Sequence, residues 1–308
     1  MHYVKPIAGL LLLMCLFVVS LKAEDLRIAT YNIRNYLVMD RQVAGTWRPS
    51  YPKPEVEKAA VRKVIHHARP DILVLQEMGD VDFLEELRSD LHQEGLHYPY
   101  AVHLQGADPV RHVAVLSMVP PLEVRKHKYL DFKYLDRRER VKRGLLEITF
   151  EGANGAQFTL FTLHLKSRWT DEEADPFSEL RRTREAEACR NLVVKRILNR
   201  KSDRYMIVGD FNAPPNSAAQ RRFQRRGKLE IGSPLPAFDS RGEVWTYFYK
   251  KESSYQAVDG FIVSPAMAKH VEGGAGVIVD IEGALDGSDH RLVYADFQFT
   301  NTEPKKAK

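Results

Sequence analysis

The sequence predicts an α+β protein built in layers, with one folded unit over residues 24–300. Three observations carry this: strand-length apolar runs recur from Leu26 to about Thr300, helical patterns sit mostly in the first two thirds, and no repeat or low-complexity linker divides the chain. The 308 residues are 44% hydrophobic and 28% charged, a globular balance that excludes a disordered or collagen-like chain. Two cysteines are too few for a disulfide scaffold or a multi-cysteine zinc site. A net charge of +5 and a pI near 9.0 lean towards polyanionic partners without identifying one.

Residues 1–23 read as a secretory signal peptide. Sixteen uncharged, mostly apolar residues lie between Lys5 and Lys22, short of the roughly 20 that a membrane-spanning helix needs. Cleavage is expected after Ala23, giving a periplasmic or secreted protein with no stable membrane insertion; an uncleaved N-terminal anchor is the alternative. Cleavage removes Lys5, Lys22 and Cys15, leaving 44 Lys+Arg against 41 Asp+Glu and Cys189 as the remaining cysteine. With no internal disulfide, a core alone must hold the chain. Cys189 falls on the apolar face of a predicted helix and is expected to be a buried thiol.

The elements follow in order. Residues 26–31 read as a strand. Residues 55–68 read as a helix, with Pro54 at its start and Val56, Ala60, Val64 and Ala68 recurring every four residues; Arg69-Pro70 ends it. The apolar run 71–76 is a buried strand, and 81–93 is a helix. Strands are expected at 112–117, 122–129, 143–150 and 156–164, the last apolar on both faces and therefore covered on both sides. Residues 37–55 and 168–178 read as long loops. A long amphipathic helix spans 178–200, with Ala186, Cys189, Val193 and Ile197 on one face. Residues 205–209 form a buried strand, and 212–217 are rich in turn residues. The last third is strand-like at 244–249, 257–264, 275–281 and 291–299, and residues 301–308 form a polar tail.

Several apolar strands stop on residues that bind metal or carry protons. These are Asn32, Gln76-Glu77, His164 and Asp210-Phe211-Asn212, followed by Asp286, Ser288, Asp289 and His290 in the 285–290 loop. Asp259 lies within an apolar stretch, where an acid is costly unless it is paired. Singly, each has a structural alternative: a turn cap for Asn32, a surface acid for Glu77, a core histidine for His164.

As a set, these motifs resemble the endonuclease/exonuclease/phosphatase superfamily, its deoxyribonuclease-I-like members above all. The resemblance rests on Tyr31-Asn32-Ile33-Arg34, Leu75-Gln76-Glu77, Arg143-Gly144, His164 in LHLKS, Gly209-Asp210-Phe211-Asn212, Asp259 in VDGFIV and Ser288-Asp289-His290, in that order over about residues 26–299. It implies a four-layer sandwich of two packed sheets flanked by helices, and a Mg²⁺-dependent hydrolase that splits phosphate esters, with Mn²⁺ as a substitute. It implies Glu77 as principal metal ligand, with Asn32 and Asp289 adding oxygen contacts. It implies Asp259 and His290 as a carboxylate–imidazole pair, Asp210 and Asn212 as organisers of the nucleophile, and His164 as a donor to phosphate or leaving group. Arg143 would support the site or contact phosphate; Lys166 and Ser167 would add substrate-binding donors.

The expected substrate is a phosphodiester, with nucleic acid ahead of phosphoinositide, sphingomyelin or a small phosphate ester, and the expected state is a monomer. A catalytically dead binding module is disfavoured, since no motif position carries a disabling substitution. Of the basic clusters, Arg137, Arg138, Arg140, Lys142 and Arg143 fit a phosphate track or a solvated face equally, because the cluster adjoins the Arg143 motif; Arg181, Arg182 and Arg184, and Arg221, Arg222, Arg225, Arg226 and Lys228, fit solvated faces better. Tyr129, Tyr134 and Trp169 are candidates for stacking on bases. Against duplex DNA stand Asp171, Glu172, Glu173 and Asp175, which would repel a polyanion from the 168–178 loop.

Overall fold

A computed structural model describes residues 25–152, 155–200 and 203–299. The signal peptide, its cleavage point, Cys15 and the polar tail lie outside the described residues. A seven-stranded mixed sheet runs in the order 237–238, 276–278, 293–298, 25–36, 72–78, 112–117, 100–104. A six-stranded mixed sheet runs 233–234, 259–263, 205–210, 157–164, 145–151, 123–127. Their facing sides make one dry core, in which Ile28, Val74 and Val115 meet Ile148, Leu160, Met206 and Val208. Helices α1 (Glu55–Ala68) and α2 (Val81–Gln93) cover the outer face of the first sheet through Val61, Ile65, Leu84 and Leu87. Helices α3 (Glu179–Arg200) and α4 (Ala218–Gln224) cover the second through Ala186, Cys189, Val193 and Phe223. The result is the expected four-layer sandwich, and Cys189 is buried in it.

Each sheet carries one parallel pair of long strands at its centre: Asp25–Tyr36 beside Ile72–Met78, and Gln157–His164 beside Tyr205–Asp210. Parallel neighbours end on the same edge, so four strand ends from two sheets meet at one rim. Continuous burial along Ile72–Gln76 and Phe158–His164 explains why these strands are apolar on both faces.

Some local expectations change. The buried stripe of α1 runs through Val61, Val64, Ile65 and Ala68, while Val56 is exposed. Pro54 is the cap before the helix rather than its first residue, and left-handed Arg69 closes the far end. Residues 37–55 contain a hairpin, Met39–Val43 with Thr46–Tyr51, whose tip carries an exposed Trp47. A second hairpin pairs Asp131–Tyr134 with Arg137–Arg140.

Candidate active site

The first sheet delivers Asn32 and Glu77. Both come from strands that lose register near the rim, between Asn32 and Tyr36 and between Gln76 and Met78. Glu77 is the extra residue of its bulge and is held at φ +61°, a left-handed backbone that glycine prefers. Its Oε2 accepts the Asn35 amide at 2.9 Å, and Arg111 Nε lies 4.0 Å away. Asn32 is buried and bridges the sheets: its Nδ2 donates to Asp210 Oδ2 at 3.0 Å, while its Oδ1 accepts the Arg34 amide at 3.0 Å.

The second sheet delivers His164, Asp210 and Asp259. Gly209 precedes Asp210 at φ +145°, and a Cβ there would stand 2.1 Å from the Leu163 carbonyl oxygen, so only glycine permits this close parallel pairing. Asp210 is buried under a ring of donors. Its Oδ1 accepts the Asn212 amide at 2.7 Å, its Oδ2 accepts Asn212 Nδ2 at 3.1 Å, and His164 Nε2 lies 3.3 Å from Oδ2. Burial, and then repulsion from Asp259, push the Asp210 pKa upward against the pull of His290 and the amide donors.

Asp259 and His290 form the expected pair, with His290 Nδ1 2.8 Å from Asp259 Oδ2. Burial alone would lower the His290 pKa, but Asp259 outweighs it and raises the value, with Asp210 and Asp289 adding in the same direction. The imidazolium is the favoured form. Three residues that sequence reasoning missed hold this pair. Buried Thr246 donates Oγ1 to Asp259 Oδ2 at 2.7 Å and accepts the Val258 and Asp259 amides, each at 3.0 Å. Tyr247 lies against the imidazole, with ring centroids 4.6 Å apart. Arg291 stacks over Trp245 at 4.0 Å and donates to Asp239 at 2.8 Å, pinning the chain just past His290. No spacing in the sequence marks Thr246 or Arg111; their partners lie in other elements. Ser288 closes the loop: its Oγ donates to the Asn32 carbonyl at 2.7 Å and accepts the His290 amide at 3.1 Å.

His164 differs from His290. It is fully buried, and burial followed by the nearby charge of Arg143 holds its pKa well below the usual histidine value. It is a neutral ring beside Asp210. Arg143 is buried and pairs with Asp108 at 3.1 Å through Nη2, while its Nε and Nη1 have no partner among the described residues. Glu185 is also buried. It accepts the Lys142 amide at 3.1 Å and the Lys166 amide at 2.8 Å, clamping the backbone on either side of this histidine–arginine layer.

Asp210, Asp259 and His290 each offer a ligand atom within 4.8 Å of one another, a group able to hold a metal ion. Asp259 Oδ1 is buried without a hydrogen-bond partner, which fits a cation beside it. His290 Nδ1, however, already spends its lone pair or proton on Asp259, so the oxygens are the better donors for a hard cation. The expected ligands Glu77 and Asp289 stand outside that three-residue group, and Asn32 touches it through Asp210. Asp289 faces Arg34 at 3.8 Å.

Ser167 lines a cleft of about 670 Å³ that also contains Asn212. Lys166 Nζ turns to the carbonyls of Ser167 and Trp169 instead, and burial with Arg143 lowers its pKa to about 8. Much of the first two basic clusters is bonded internally: Arg137 to Glu139 and Glu172, Arg181 to Glu139, Arg182 to the Lys166 carbonyl. Buried Asp175 accepts the Tyr134 hydroxyl and the Leu180 and Arg181 amides, so it anchors α3. Tyr134 is buried, whereas Tyr129 and Trp169 are exposed.

The fold is shared with solved structures. The human Nocturnin catalytic domain with a bound sulfate anion is 17% identical, with a TM-score of 0.59 over 90% of this chain and 95% of that one. Sphingomyelinase C from Streptomyces griseocarneus is 17% identical, with a TM-score of 0.61 over 89% and 99%. A beta toxin variant from Staphylococcus aureus with bound magnesium ions is 14% identical, with a TM-score of 0.60 over 89% and 99%. No curated protein matches the chain. The Endonuclease/Exonuclease/phosphatase family matches residues 29–290, which contain every strand end of this rim, and the chain belongs to that family of phosphoesterases.

Proposed function

We propose that the protein is an exported, Mg²⁺-dependent phosphodiesterase whose substrate is a nucleic-acid strand. The carrying observation is the convergence of buried Asn32, His164, Asp210 and His290 with Asp259 at one rim, where a neutral histidine lies against Asp210 and a cationic one pairs with Asp259. His290, charged through Asp259, stabilises negative charge growing on the phosphate. Asp210, its pKa raised towards neutrality by burial and Asp259, orients the attacking water and takes its proton. Asn32, Asn212 and His164 hold that carboxylate in place. The Asp210 and Asp259 oxygens would hold Mg²⁺ or Mn²⁺, and Glu77 and Asp289, outside that group, are the further oxygens the family resemblance implies. A divalent cation bound there supplies charge neutralisation and Lewis acidity.

A second reading, a lipid phosphodiesterase, is supported by the likeness to Sphingomyelinase C and by exposed Trp47 on the Met39–Tyr51 hairpin. One tryptophan among Asp40, Arg41, Gln42 and Arg48 is a small apolar surface, and it ranks second. The test is a parallel assay on plasmid DNA, RNA, bis-p-nitrophenyl phosphate, phosphoinositides and sphingomyelin. Nucleic acid should be cleaved, chelation should stop turnover, and Mg²⁺ or Mn²⁺ should restore it. Cleavage of the lipids alone rejects the nuclease reading; chelator-resistant turnover rejects the metal.

A further inference from the structure

Beside the catalytic rim lies the cleft of about 670 Å³, within the usual range for small-molecule sites. It is contiguous with the site, because Asn212 is in its wall and Tyr247, also in its wall, packs on His290. The lining is aromatic: Trp169 and Phe177 are largely exposed to it, and Tyr249 stacks on Tyr247 with ring centroids 6.4 Å apart and planes 21° apart. A polar bridge joins two of its walls, with Arg168 donating to Gln256 at 3.0 Å. The Trp169 carbonyl is tied back by Lys166 Nζ, which fixes the loop that carries the indole.

Exposed aromatic rings in a concave wall cost solvation unless a flat partner covers them. A planar ring gains by stacking there, and the guanidinium and amide of the bridge offer donors and an acceptor to its edge. An alkyl chain would leave that bridge unmatched. We propose that this cleft is a nucleobase subsite: a base one ester linkage from the scissile phosphate stacks on Trp169 and Tyr249 and meets Arg168 and Gln256 at its edge. The inference rests on the phosphodiesterase reading above and adds the feature that tells base-bearing phosphodiesters from those without a ring. The volume suits one nucleoside rather than a stacked duplex, so the base enters unpaired.

The test separates binding from turnover. The full protein with Mg²⁺ is titrated with a thymidine dinucleotide carrying an uncharged, uncleavable methylphosphonate linkage, and with the same compound lacking one base. Wild type should prefer the complete compound by about 10-fold or more. Trp169→Ala should bring the two affinities within about 2-fold, and Tyr249→Ala, on a separate segment of the wall, should shift the ratio the same way if the tryptophan loop rearranges. In cleavage assays, the ratio of kcat/KM between base-bearing and base-free phosphodiesters should fall with the same variants. Equal binding of the two compounds by wild type, or a ratio unmoved in both variants, overturns the subsite. Selective binding with no cleavage of any nucleic acid would instead overturn the nuclease reading and leave the subsite standing.

Discussion

The two sheets contribute to the rim in opposite ways. From the second sheet, Asp210 and His164 arrive buried, and Asp210 accepts from Asn32 and Asn212 with His164 3.3 Å away. From the first sheet, Glu77 arrives partly exposed on a bulge, in a left-handed backbone, with the Asn35 amide as donor and Arg111 4.0 Å away. A buried carboxylate with several donors has its geometry fixed in advance, which suits a group that must meet a transition state. A strained, under-bonded carboxylate has free oxygens to offer, which suits a ligand that completes its shell on binding. Under the proposed mechanism, proton handling falls to the second sheet, while the cation would be shared between its Asp210 and Asp259 oxygens and Glu77 of the first.

Breaking the second-sheet side should have the largest effect. Asp210→Asn and His290→Ala, tested separately, are each expected to lower kcat by about 10³-fold, with the circular dichroism spectrum retained. Full activity in either purified variant would reject the assigned site. On the first-sheet side the sharper test is structural. Glu77→Gly and Glu77→Ala both remove the carboxylate, but only glycine tolerates the left-handed backbone. The glycine variant should therefore unfold at higher urea, by about 1 kcal/mol over the alanine variant, while both lose activity and metal affinity. Equal midpoints would mean that the bulge relaxes without cost.

The smallest effect is a pH dependence with two opposed parts. The raised pKa of His290 gives stability that is full below about pH 6.5 and is lost as pH rises through the raised value. Lys166 runs the other way: its charged form is penalised in the fold below about 8, and the penalty is relieved as pH rises towards about 10.4. In urea midpoints measured from pH 6 to 10, His290→Asn should flatten the alkaline loss and Lys166→Met should steepen it. Parallel curves for all three proteins would remove both assignments.

Much of this was legible in the sequence, for identifiable reasons. Helices α1 and α2 and the central strands bury continuous or periodic apolar faces, and their bounds lie close to expectation. The Met39–Tyr51 hairpin looks like a loop in the sequence because both of its strands are largely solvated, so no buried face imposes alternation. Helix α4 is two turns long and begins at Ser217, inside a stretch that turn residues dominate. The site residues were legible where a motif carries them. Thr246, Arg111 and buried Glu185 were not, because each is defined by a partner in another element that no motif links to it. Arg143 and Glu185 also show the limit of counting charges: composition cannot tell a solvated ion from one enclosed in the fold.

The Ser288 hydroxyl that grips the Asn32 carbonyl joins positions 256 residues apart, and the strand after it, Val293–Gln298, zips along Asp25–Tyr36 at the centre of the first sheet. Chain order therefore sets a schedule. A growing polypeptide completes its helices and most of its strands before His290 exists, and the earliest strand must wait for the last one to arrive. Competence is acquired at the end of synthesis, so a chain still being made holds no assembled centre.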